Sequence, residues 1–205
     1  MVPRTPRSHF SPRVPVGLAL LLIGLLAGCA TIPFDPAPVV STTHQLPYSI
    51  RLKLGPLGAF MVEPGATMIA DPGLQNHVLS PIDSLVSPRE QWEAAILQYV
   101  TARQTFRRVV REGLADLDLE LQVAIYIDPS RAFDFNYIYA ASVDALLKDP
   151  RYGRLLKRYS GFGKAVGEVA RGGKDDDKRP VNRALHAALN DLFGKMEQDR
   201  WPASL

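Results

Sequence analysis

The chain has 205 residues, of which 46% are hydrophobic and 22% charged, a balance that suits a packed globular body and excludes an intrinsically disordered one. Its formal charge of +3 comes from the N-terminus. The first 28 residues hold Arg4, Arg7 and Arg13 and no acid, so 21 of the 24 basic side chains remain afterwards, against 21 acids. A neutral body excludes nucleic-acid binding driven by bulk charge, which needs clustered excess cation.

Residues Val16 to Ala27 (VGLALLLIGLLA) are almost purely apolar. As a helix they reach only about 18 Å, well short of a bilayer core of about 30 Å. A basic flank, a short apolar run and small residues at its end form the pattern of a secretory signal peptide rather than a membrane-spanning helix. The run closes on Leu26-Ala27-Gly28-Cys29, which resembles the lipobox of bacterial lipoproteins. That resemblance implies removal of residues 1–28 by cleavage between Gly28 and Cys29. It also implies acylation of Cys29 with a diacylglycerol and an amide-linked acyl chain, and hence a membrane anchor in the cell envelope. Ala30, where an Asp would favour inner-membrane retention, implies the periplasmic face of the outer membrane. Several acyl chains hold firmly where a single one binds marginally. Cys29 is the sole cysteine, so no intrachain disulfide is expected.

Residues 30–47 carry Pro33, Pro36, Pro38 and Pro47 without apolar periodicity. Cys29 and this stretch are expected to form an extended tether, 29–47, reaching roughly 55 Å, with His44 solvated. A single α+β domain is expected over 48–205.

Tyr48 to Leu54 (YSIRLKL) alternates strictly and predicts a half-buried strand ended by Gly55-Pro56. Residues 55–87 predict one or two short strands and a long surface loop. Ser87-Pro88-Arg89-Glu90 reads as a capping-box helix start. Trp92, Ile96, Tyr99, Phe106, Val109 and Val110 then extend an amphipathic helix of about six turns to Gly113, with Glu93, Gln98, Arg103, Arg107 and Arg111 on its wet face. Asp116 to Asp128 (DLDLELQVAIYID) is the clearest strand. A second runs from Phe135 to Leu147 and a third from Arg154 to Phe162, joined by a turn at 148–153, an antiparallel meander. After the loop GGKDDDKRP, Pro180 opens a closing helix with Val181, Leu185, Ala188, Leu192 and Met196 on one stripe. The expected fold is α+β: an antiparallel sheet of about four strands with two amphipathic helices packed on one face.

Lipobox, Pro-rich stretch, β-meander and a closing helix ending VNRALHAALNDLFGKM are similar to small envelope lipoproteins of Gram-negative bacteria. The ABC-transport auxiliary lipoproteins, and relatives in lipopolysaccharide assembly and peptidoglycan-synthase activation, share this layout. The resemblance implies a non-enzymatic accessory or docking subunit with a protein partner in the envelope.

Asp116, Asp118 and Glu120 share one strand face, because alternate residues point the same way. They read either as a solvated face opposite Arg51 and Lys53 or as a cation or acid–base site, which would make an envelope enzyme. Phe133, Phe135, Tyr137 and Tyr139 form an aromatic ladder at spacing two. They read either as the core face of their strand or as a candidate apolar groove for a lipid tail or peptide, the carrier alternative. Ile138, Ala140 and Val143 add apolar character to the opposite face. Gly161, Gly163 and Gly167 (GFGKAVG) miss the dinucleotide-loop spacing by one residue and lack its βαβ context, which predicts a flexible exit from the last strand. Asp175-Asp176-Asp177 is contiguous, unlike the alternating ligands of a calcium loop. His77 and His186 are isolated, and His186 at the edge of the closing stripe reads as structural. With no G-x-S-x-G, H-E-x-x-H or paired C-x-x-C, no catalytic, cofactor or metal site is expected.

Overall fold

A computed structural model of the chain describes residues 34–42, 44–62, 79–82, 86, 88–129, 136–168 and 179–201. The lipobox, His77, Phe133, Phe135 and Asp175-Asp176-Asp177 lie outside the described residues.

The elements run β1 (Leu46–Val62), β2 (Leu79–Pro81), α1 (Arg89–Arg103), β3 (Phe106–Val110), β4 (Leu117–Asp128), β5 (Asn136–Lys148), β6 (Leu155–Glu168) and α2 (Pro180–Gln198). They build one six-stranded sheet in the order β2-β1-β4-β5-β6, with β3 also paired to β1. β4, β5 and β6 form the expected antiparallel meander, in which Val123 faces Val143 and Val143 faces Gly161.

The sheet is mixed rather than antiparallel, and among the described residues it has six strands rather than about four. β1 is parallel to β3 and to β4, with Ile50 opposite Val109 and Leu52 opposite Leu119. The cause is α1: a helical crossover returns the chain to the side where β1 began, so the strand after it runs in the same direction. Helix α1 is correspondingly shorter than the periodicity predicts. It ends at Arg103, Gln104 takes a left-handed φ of 62°, and Phe106–Val110 becomes a strand. The apolar spacing of Phe106, Val109 and Val110 suits a helix stripe, but the β-branched pair lies well on a pleated surface beside β1.

β1 also passes through Gly55-Pro56 instead of stopping there. Between Leu54 and Leu57 it has one residue more than β4 has between Leu121 and Val123. That bulge is a place where a proline is tolerated within a strand, because the ladder is already interrupted.

One face of the sheet is covered by both helices. Ile50, Leu52, Leu119, Leu121, Ile125 and Tyr139 form the buried sheet side, Trp92, Ile96 and Tyr99 come from α1, and the expected stripe of α2 is buried throughout. Tyr139 and Val143 share this core face, whereas Ile138 and Ala140 point the other way. Val143 therefore does not belong with Ile138 and Ala140, because odd-numbered positions of β5 face the helices.

The GFGKAVG stretch lies inside β6 and is no flexible exit. A Cβ on Gly161 would lie 2.1 Å from the Ala188 carbonyl oxygen, and one on Gly163 would lie 2.0 Å from that of Ala184. These glycines let α2 rest directly on the strand backbone.

Candidate functional site

The acidic face lies on the side of the sheet away from the helices; parallel pairing with β1 brings partners to Asp116 and Asp118, and antiparallel pairing with β5 brings Lys148 to Glu120. Asp116 accepts from the Ser49 backbone N–H and hydroxyl, both at 2.7 Å. Asp118 takes a bidentate pair from Arg51, at 2.8 Å from Nε and 2.9 Å from Nη2, and a contact from Lys53 at 3.2 Å. Glu120 accepts from Lys148 at 2.6 Å and from Gln122 at 3.0 Å. Ionised carboxylates are favoured by such donors. Hydrogen bonds from Ser49, Arg51 and Lys148 respectively hold Asp116, Asp118 and Glu120 below the usual carboxylate range. A general acid at neutral pH needs the opposite shift, and the surrounding cations already occupy the place a metal ion would take. Among the described residues no group of three or more His, Cys, Asp or Glu is placed to hold a metal.

A consequence follows for acid stability. These groups titrate lower in the folded protein than in the unfolded chain, so they stabilise the fold above the unfolded values near 4. That contribution disappears as pH falls through the folded values. The urea midpoint should be flat from pH 7 to about 5 and drop below about pH 4, with a smaller drop in Asp118→Asn. The pairs are partly exposed, so the effect is modest. A midpoint that rises on acidification contradicts this account.

The second feature is the segment leading into β1. Phe34 is 5% exposed and stacks on Trp92 at 5.9 Å, with Tyr99 at 6.2 Å and His186 at 5.3 Å between ring centres. The Asp35 carbonyl meets His186 Nε2 at 2.8 Å, Val40 accepts from Arg103 at 3.0 Å, and the Thr42 N–H donates to the Arg103 carbonyl at 3.0 Å. Residues 34–42 are thus strapped along the helices rather than extended as a free spacer. His44 is exposed, as expected, and His186 is a buried structural residue.

Beneath the strap lies a polar cluster around Arg103, a residue that the sequence pattern places on the wet face. Arg103 is 4% exposed. It reaches Glu197 at 3.1 Å and Asn190 at 2.7 Å, while Thr105 donates to Glu197 at 2.6 Å and Tyr99 to Asn190 at 2.7 Å.

Of the aromatic ladder, Tyr139 is 2% exposed and Tyr137 is half-buried, with their rings 6.5 Å apart. Tyr139 is enclosed by core neighbours, and burial pushes its hydroxyl up to about 12. On the opposite face Phe60 of β1 stacks on Tyr126 of β4 at 5.8 Å, beside a shallow recess of about 280 Å³.

A further concavity among the described residues is not anticipated by the sequence pattern. A groove of about 590 Å³ opens where β1 begins, between the β3–β4 link and the β5–β6 turn, and it is lined by Tyr48, Arg107, Asp116, Arg151, Tyr152 and Arg154 among others. Gly113 (φ 89°) and Gly153 (φ 65°) adopt the left-handed backbone that these two tight connections require. The turn is closed by Asp149 N–H to Arg154 O at 2.9 Å and Gly153 N–H to Asp149 O at 2.8 Å. Its sequence signals are the pair Arg151 and Arg154 flanking an exposed tyrosine, and the basic run Arg107, Arg108, Arg111, which reads as part of a helix until β3 is recognised.

No family model matches the chain, and no curated protein matches it. Several solved structures are similar in part. A Xanthomonas campestris protein of the DUF330 family shares 13% identity over 77% of this chain and 87% of its own, with a TM-score of 0.41. A Helicobacter pylori protein described as a neuraminyllactose-binding hemagglutinin homolog shares 9% over 80% and 94%, with a TM-score of 0.45. A Caulobacter crescentus protein described as a lipoprotein shares 16% over 51% and 84%, with a TM-score of 0.32.

Proposed function

We propose that this protein is a lipid-anchored envelope lipoprotein, attached through Cys29 at the periplasmic face of the outer membrane, that serves as a non-enzymatic accessory subunit of a transport or envelope-assembly complex. The observation that carries the reading is Leu26-Ala27-Gly28-Cys29 at the end of a basic-flanked apolar run too short to cross a bilayer. The strap sharpens it. Phe34 is seated on the helices only five residues after Cys29, and five residues span at most about 18 Å. The anchor therefore keeps the body close to the membrane surface instead of about 55 Å from it. The paired carboxylates of the sheet face argue against an enzyme built on Asp116, Asp118 and Glu120.

The test is made on the full chain in a Gram-negative host. Wild type should incorporate labelled palmitate, sediment with the outer membrane and leave mild detergent in fixed stoichiometry with an envelope protein. Cys29→Ser should lose label and sedimentation together. Unlabelled wild type would overturn the anchor, and a monodisperse monomer free of partner would overturn the accessory role.

A further inference from the structure

We infer that the groove at the start of β1 is the docking site for an extended, acidic segment of the partner protein, a conclusion that rests on the accessory reading above. The groove's own carboxylates are engaged by the backbone. Asp116 accepts from Ser49, and Asp149 accepts the Arg151 N–H at 2.8 Å. Its cations are much less engaged. Arg107 has only an exposed contact with Asp116 at 3.4 Å, and among the described residues neither Arg151 nor Arg154 meets a carboxylate at ion-pair distance. Two guanidiniums, Arg151 and Arg154, thus line the concavity without a carboxylate partner and Arg107 keeps only one long contact, and the guanidinium fork matches a carboxylate bidentately.

The rim adds an apolar component of the kind interfaces use. Leu114 on the β3–β4 link is 91% exposed, Tyr152 on the β5–β6 turn 82%, and Leu155, which opens β6, 52%. Exposed tyrosine and arginine beside a concavity are the residue types that anchor protein partners. The two connections are held by backbone hydrogen bonds, so the site loses little freedom when occupied. An open trough suits a chain segment lying along it better than a small molecule, which is usually enclosed.

Position favours a protein over the headgroups of the anchoring bilayer. The groove opens near the C-terminal ends of the helices, where Tyr48 packs on Trp201 just beyond α2. Phe34, the described residue nearest Cys29, packs on Trp92 in the first turn of α1, about 16 Å along the helix from Arg103.

The experiment places a photocrosslinking amino acid at Tyr152 in the full lipidated chain in cells, with Lys164 on the outer sheet face as the control position. A partner should be captured at Tyr152 through an acidic segment, and Arg151→Glu with Arg154→Glu should abolish the capture. Both arginines are exposed turn residues, so the variant should keep the wild-type urea midpoint. In parallel, a synthetic peptide of glutamates around a central leucine should bind the wild-type chain about tenfold or more tightly than the charge-reversed one, and its glutamine counterpart should bind neither. Capture that ignores the charge reversal overturns the groove. Binding to vesicles containing phosphatidylglycerol, lost on charge reversal and without any peptide binding, replaces the protein segment by headgroups. Capture at Lys164 alone overturns the groove and leaves the accessory reading standing, whereas capture at neither position overturns both.

Discussion

Gly163→Val should destabilise the body by about 3 kcal/mol or more, and Gly161→Val should do nearly as much, both as a lower urea midpoint with the slope unchanged. A Cβ at Gly163 meets the Ala184 carbonyl at 2.0 Å and the Ala188 nitrogen at 2.5 Å, and one at Gly161 meets the Ala188 carbonyl at 2.1 Å and the Leu192 nitrogen at 2.7 Å. These neighbours are helix backbone and cannot swing aside as a side-chain tip can. The helix has to lift off β6, which breaks the contact between its buried stripe and the sheet. Gly167 makes an internal comparison, since its closest neighbours are the Pro180 ring at 2.5 Å and the end of Arg183 at 3.1 Å, at the start of α2. Gly194 is the opposite control. It lies within α2 with nothing near its Cβ position, so Gly194→Ala should raise the stability by roughly 0.5–1 kcal/mol through helix propensity, read as a higher urea midpoint. A Gly163→Val midpoint equal to wild type would mean that α2 does not rest on the strand backbone.

The same glycines mark the limit of what local pattern conveys. Alternation in β4 and β5, the stripe of α2 and the turn at Asp149–Gly153 depend on nearby residues, and all were legible. Gly161 and Gly163 read as an exit because glycine weakens strands, and their purpose depends on Ala184 and Ala188, which are remote in sequence. Parallel pairing is likewise non-local. Nothing between 106 and 110 reveals that this segment adjoins Ser49–Arg51, so its apolar spacing passed for a helix. Of the candidate site, the placing of Arg51 and Lys53 against the acidic face followed from alternation alone, because both strands present one residue in two to that side. The arginine groove did not follow, since its parts come from the start of β1, from β3 with its link to β4, and from the β5–β6 turn, which only the folded sheet brings together.

Arg103→Met should cost about 3–5 kcal/mol, although the methionine fills similar space and suits a helix. The charge is buried and its neighbours depend on it. Removing the guanidinium leaves Glu197, whose side chain is 11% exposed, with Thr105 as its remaining donor among the described residues, and deprives the Val40 carbonyl of its own. The ion pair itself is not the main source of stability, because two desolvated charges offset much of their attraction. The double variant Arg103→Met with Glu197→Leu should therefore recover most of the loss, apart from about 1 kcal/mol for the Thr105 hydroxyl left without its acceptor. A double-mutant cycle on urea midpoints should return a coupling of roughly 2–3 kcal/mol, and strict additivity would refute the account. Arg103 ties α1 to α2 through Glu197 and Asn190, and it also holds the strap through Val40. The single variant should thus become more open to proteolysis near residues 34–42 than its stability alone accounts for, loosening the short connection between the body and the anchor proposed at Cys29. In the double variant the helices are joined by apolar packing, but Val40 still lacks its donor, so that excess cleavage should persist after stability has returned.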